Sequence, residues 1–134
     1  MFKSSGLLTY YTYTVQLDVD PEIARYCRSF IPKYVSYNLP MYPPHISVVR
    51  KALPLHIEDW NVLAKKNWGK HNGETIDFCY DNELFTSEKY IWINCFSKRL
   101  DRVRTELGLE NKTWGFVLPK GYKHVFHVTI GNFK

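Results

Sequence analysis

Long apolar runs are missing from this 134-residue sequence: the longest, such as Tyr90 to Cys95, fall far short of the roughly 18 to 20 residues that cross a bilayer. Near the N-terminus a lone Lys3 precedes no long apolar stretch, so neither a membrane span nor secretion is expected. Cysteine is scarce. The three present, Cys27, Cys79 and Cys95, are odd in number, lack C-x-x-C spacing and sit in apolar or aromatic contexts, which reads as reduced core residues of a cytoplasmic protein. Low-complexity tracts are absent too. With 45% apolar and 16% aromatic residues, the chain is not natively unfolded and supplies one core, for a single domain over 1–134. Glycine-rich phosphate loops, G-x-S-x-G and H-E-x-x-H do not occur, so nucleoside triphosphate binding and serine hydrolase chemistry have no support.

Acidic residues are the minority charge. Eighteen Lys plus Arg against 13 Asp plus Glu leave +5, a balance that favours anionic partners such as phosphate esters or nucleic acid. The short basic clusters, Lys65 with Lys66 and Lys98, Arg99, Arg102 with Arg104, fit a solvated helix face as well as a binding stripe.

Residues 7–19 are rich in Thr, Tyr and Val with no Gly or Pro after Gly6, the composition of a strand. Asp20-Pro21-Glu22 then provides an N-cap, a first-turn proline and an acid beside the helix dipole, which predicts a helix over about 21–31. Pro32, Pro40, Pro43 and Pro44 mark a loop leading into a β-branched strand at 45–50. Ile57, Trp60, Leu63 and Ala64 at helical spacing predict a helix over 58–66, ended by Gly69 to Gly73. Strands follow at 74–80 and 90–96, a Ser-capped helix at 97–107 stopped by Gly108, and a last strand at 124–133. This order predicts an α+β fold with predominantly antiparallel sheets and two similar halves.

Two strands carry the same polar pattern. His45-Ile46-Ser47 and His127-Val128-Thr129 both read H-x-[Ser/Thr], 82 residues apart, one in each half. Side chains alternate faces along a strand, so His45 shares a face with Ser47, and His127 with Thr129, while Ile46, Val48, Val128 and Ile130 point into the core. If the halves pair around a pseudo-twofold axis, the imidazoles face each other across a cleft. Imidazole serves as base in one copy and acid in the other near neutral pH, and the hydroxyls donate to non-bridging phosphate oxygens. Which histidine is the base depends on which ester bond breaks.

In these motifs the sequence resembles the 2H phosphoesterase (LigT-like) superfamily, whose two H-x-[Ser/Thr]-x motifs correspond to His45-Ile46-Ser47-Val48 and His127-Val128-Thr129-Ile130. Ser47 stands where many members carry Thr and keeps the hydroxyl. The resemblance implies a bilobal fold, two pseudo-symmetric sheets lining a central cleft with helices outside, and metal-independent chemistry on cyclic phosphates, 2'-5' linkages, RNA ends or cyclic oligonucleotide signals. It implies a monomeric phosphodiesterase acting on a nucleotide, cyclic oligonucleotide or short RNA. Two targets stay open: RNA-end processing, or degradation of cyclic oligonucleotide immune signals as in the 2H proteins of phages and other viruses, which work in the host cytoplasm. A binding module that holds a phosphate without turnover is the reading from another class.

Strand parity extends to the walls of such a cleft. If Val15 and Leu17 face the core with Tyr11 and Tyr13, then Tyr10, Thr12 and Thr14 face the cleft, as do Trp92 and Asn94 when Ile91, Ile93 and Cys95 are buried. A ring at Tyr10 or Trp92 then stacks on a nucleobase, unless it simply packs in the core. Trp114, Phe116, Lys120 and Tyr122 precede the second motif on a loop that either covers substrate, with Lys120 or Lys123 meeting phosphate, or is an ordinary surface loop. No metal site or cofactor is expected: His124 and His127 lie on opposite strand faces, without Cys, Asp or Glu at ligand spacing. His56 and His71 are expected to be solvated.

Overall fold

Residues 7–19 do not form one strand. In a computed structural model, which describes residues 1–50 and 53–134, strand β1 (Phe2–Tyr10) and strand β2 (Val15–Val19) make a hairpin in which Tyr10 opposes Val15. The turn between them closes through a bond from the Tyr11 N–H to the Thr14 carbonyl at 2.8 Å. Asp20 caps helix α1 (Pro21–Arg28) by accepting from the Glu22 N–H at 2.9 Å, so the helix starts as predicted and ends three residues sooner. A two-residue strand β3 (Tyr37–Asn38) precedes the first motif strand, β4 (His45–Val49).

The helix predicted over 58–66 is broken. A 3-10 turn at Ile57–Asp59 gives way to extended backbone at Trp60, whose indole is buried and donates to the Pro54 carbonyl at 2.8 Å. Asn61 then caps the short helix α2 (Val62–Asn67). Strand β5 (Thr75–Thr86) outruns its predicted end, bending at a register shift between Tyr80 and Leu84, and pairs with β6 (Tyr90–Phe96). Ser97 caps α3 (Lys98–Glu106), Gly108 follows at φ 74, and the second motif strand β7 (Phe126–Phe133) closes the chain.

All strand pairs are antiparallel, and the sheet order β3-β7-β4-β2-β1-β5-β6 returns on itself because β6 also pairs with β7. The fold is thus α+β, an antiparallel sheet closed into a barrel with few helices. The strand order β4-β2-β1 in the first half has its counterpart in β7-β6-β5 in the second, although β3 stands between α1 and β4, and the strands form one closed sheet where two pseudo-symmetric sheets were expected. The halves meet where β4 joins β7, at Ile46 opposite Val128, and where β1 joins β5.

Alternation sorts most of the strand residues and lapses at Val48–Val49 and along Ile93–Phe96, where consecutive residues are buried. Val15, Leu17, Ile46, Val48, Ile93, Val128 and Ile130 are almost fully buried and share one core with Ile23, Ala24 and Cys27 of α1 and with Leu100 and Val103 of α3. The opposite face of the same strands is half-buried and polar. Arg104 of α3 links the halves through this core: buried, it donates to the carbonyls of Val48 and Glu110, each at 2.6 Å. Cys27 and Cys95 are buried and Cys79 half-buried, all as free thiols; burial pushes the Cys27 and Cys95 thiols above their ordinary range.

Candidate active site

The polar face gathers both motifs. Counting outward from Ile46 opposite Val128, the antiparallel register sets His45 beside Thr129 and Ser47 beside His127. In a regular antiparallel pair, directly opposed residues on one face lie about 5 Å apart and diagonal ones about 7 to 8 Å, and this register puts the two histidines in diagonal positions. Each motif has a further neighbour on its outer side: Asp18 and Gln16 of β2 oppose His45 and Ser47, while Asn94 and Trp92 of β6 oppose His127 and Thr129. Two rows therefore cross four strands, Asp18–His45–Thr129–Trp92 and Gln16–Ser47–His127–Asn94.

The histidines differ in setting. His45 Nδ1 lies 2.9 Å from the Pro43 carbonyl, an acceptor only, so Nδ1 carries the hydrogen and the neutral ring keeps its lone pair on Nε2. His127 Nε2 is enclosed with no hydrogen-bond partner among the described residues. Burial, helped by the positive charge of Arg50, lowers its pKa to about 4, so the ring is neutral near pH 7. An unpaired buried nitrogen is costly, and such atoms concentrate where a ligand supplies the missing partner.

Partners on the outer strands hold the rows in place. Asp18 accepts from Gln16 Nε2 at 2.7 Å and from Thr9 Oγ1 at 3.3 Å, and Asn94, buried, accepts from Trp92 Nε1 at 3.1 Å. The Trp92 ring lies 5.5 Å from the His127 ring, and an aromatic chain continues to Phe85 at 6.2 Å and on to Phe116 at a further 4.8 Å. Asp18, Gln16, Asn94 and Phe85 belong to the site by position. Parity alone set Asn94, Gln16 and Asp18 on the polar face, but their neighbours were hidden, because register depends on distant strands.

Other expected wall residues lie elsewhere. Tyr10 opposes Val15, cross-strand partners share a face, and the ring accordingly packs on the core side, edge-on to Trp68 at 5.5 Å. Thr12 sits exposed in the hairpin turn. Trp114 is 58% exposed on a left-handed turn residue (φ 53), its ring 5.2 Å from Lys112 Nζ, and Lys120 is exposed on the same loop. Tyr122 turns to a different groove, where its hydroxyl meets Cys79 Sγ at 3.5 Å. His71, expected in solvent, is instead half-buried among Glu106 at 2.7 Å, Glu74 at 3.4 Å and Arg99 at 3.0 Å. His124 is buried, accepts from the Lys112 N–H at 2.8 Å, and has its pKa lowered to about 3 by burial, a structural role.

Among the described residues no three His, Cys, Asp or Glu side chains gather into a metal-ligand group, and no helix is long and apolar enough to cross a membrane. No protein-family model matches the chain, and no curated protein or solved structure matches it significantly.

Proposed function

We propose that this protein is a metal-independent phosphodiesterase of the 2H type, hydrolysing a cyclic nucleotide or cyclic oligonucleotide with His45 and His127 as its acid–base pair. The observation that carries the reading is the pairing of the two motif strands, which sets each histidine opposite the other motif's hydroxyl. The matching strand orders of the two halves, joined at that pair, support the two-lobed arrangement of such enzymes.

The chemistry follows from the two ring states. His127, neutral above about pH 4, is the base: its unpartnered Nε2, enclosed in the free protein, has to be opened to the attacking water on substrate binding, and it then takes that water's proton as the oxygen attacks phosphorus. His45 acts in its imidazolium form: with the Nδ1 proton still donated to the Pro43 carbonyl, the ring delivers its Nε2 proton to the sugar oxygen as the opposite phosphorus–oxygen bond breaks, and is left neutral. Ser47 and Thr129 donate to the non-bridging oxygens, where negative charge accumulates. Trp92 stacks on the base beside the scissile phosphate.

Incubating the protein in EDTA with 2',3'-cyclic nucleotides, 2'-5' oligoadenylates and cyclic dinucleotides tests this. Conversion of at least one cyclic substrate to its linear product is the expected result. Turnover confined to 2',3'-cyclic ends shifts the assignment to RNA-end processing. Tight binding of every substrate without product leaves a binding module.

A further inference from the structure

A second groove, of about 670 Å³, opens across β1, β5 and the first turn of α3. Its volume is that of a small-molecule site. A row of paired residues, Phe96, Cys79 and Lys3, runs through it across three strands, and Phe96 lies on the same side of β6 as Asn94, two residues further on. Tyr122 covers one end. Its hydroxyl is tied to Cys79 Sγ at 3.5 Å and its ring lies 5.9 Å from Phe96.

Charge at the rim is unbalanced. Lys3, Lys98 and Arg102 are exposed and make no ion pair among the described residues, whereas Arg99 is occupied by Glu74 at 3.0 Å. Among the described residues Asp77 is the one carboxylate in the lining. Lys98 Nζ stands 5.4 Å from the centre of the Tyr122 ring, so a cation and an aromatic face are presented together. Cations alone suit any anion, and rings alone suit any apolar group; the combination in one groove selects a flat ring that carries a negative charge.

We propose that this groove binds a nucleoside monophosphate, with the base against Tyr122 and Phe96 and the phosphate at Lys98, Arg102 and Lys3. The site is separate from the histidine pair and does not rest on its catalytic reading.

The experiment is calorimetric titration of adenosine 5'-monophosphate, adenosine and inorganic phosphate into four proteins: wild type, the double variant Lys98→Glu with Arg102→Glu, Tyr122→Leu, and the double variant His45→Ala with His127→Ala. The monophosphate should bind wild type at least tenfold more tightly than adenosine or phosphate. Charge reversal should weaken the monophosphate at least tenfold and leave adenosine unchanged, Tyr122→Leu should weaken both, and the histidine variant should retain a binding event. Because Lys98 and Arg102 are exposed, the charge-reversed protein should keep its melting temperature, which makes that comparison decisive if Tyr122→Leu unfolds. Failure of wild type to bind, phosphate binding as tight as the monophosphate, an affinity indifferent to charge reversal, or loss of all binding in the histidine variant each overturns the proposal.

Discussion

The two motif strands are near copies in sequence and unlike in setting. On β4, a five-residue strand entered from a proline-rich loop, His45 is tied at Nδ1 to the Pro43 carbonyl. On β7, an eight-residue strand flanked by β4 and β6, His127 is enclosed, unpartnered at Nε2 and held neutral down to about pH 4. The same three-residue pattern thus supplies two differently held imidazoles, because hydrogen bonding and burial are set by neighbours and not by the motif. In an in-line displacement the ring beside the attacking water is the base and the ring beside the leaving oxygen the acid, and the neutral His127 suits the first of these places.

The strongest way to break the comparison is to remove one ring at a time. His45→Ala and His127→Ala should each lower kcat by about 100-fold or more in EDTA, the range for a lost general acid or base. Steady-state kinetics on folded variants checks this, and a variant with normal kcat removes that histidine from the mechanism.

Next in size is the support of the first motif by the second half of the chain. Arg104→Met strips the buried donors from the Val48 and Glu110 carbonyls and should destabilise the fold by about 2 kcal/mol, measured by urea unfolding. Stability within 0.5 kcal/mol or so of wild type would mean that β4 holds its place without α3.

Acid should act mainly through the second half. His127 and His124 titrate near 4 and 3 in the folded chain and near 6.5 when unfolded, so between those values the unfolded state binds more protons. Folding stability should therefore be complete above about pH 6.5 and decline as the pH falls towards 4. His127→Gln should flatten part of that decline in a pH series of melting curves, whereas an unchanged slope assigns the whole effect to other groups.

Smaller effects separate Trp92 from Tyr10, the two rings first considered as stacking platforms. Trp92→Ala should raise KM about tenfold, roughly 1.4 kcal/mol, with a modest change in melting temperature. Tyr10→Ala should leave KM unchanged and lower stability, since that ring packs on the core side against Trp68. The reverse pattern would return Tyr10 to the site.

The difference between those rings also shows where sequence reading succeeds. Trp92, His45, Ser47, His127 and Thr129 were legible because the alternation of faces survives locally around each, despite the register shifts at Val15/Gln16 in the pairing of β2 with β4 and at Ile91/Trp92 in the pairing of β6 with β7. Tyr10 was misplaced because parity was carried through Tyr11 to Thr14, a turn made without Gly or Pro from residues of high strand propensity. The break at Trp60 was hidden for a similar reason, since a buried indole bonded to Pro54 overrides helical spacing. For Asp18 and Gln16, parity from Val15 and Leu17 gives the polar face but not the neighbours. Their place beside His45 and Ser47 comes from the pairing of β2 with β4, a contact between segments far apart in the chain.

The account's central claim is that the two unlike histidines form one phosphate site, and imidazole proton resonances followed by NMR test it most directly. His127 should titrate near 4 in the free protein, and adding adenosine 2'-monophosphate, the product analogue of a cyclic phosphate, should shift the signals of His45 and His127 together and raise the His127 midpoint, because a bound anion favours the charged ring. A His127 that titrates near 6.5 in the free protein, or a ligand that moves only one of the two rings, contradicts it.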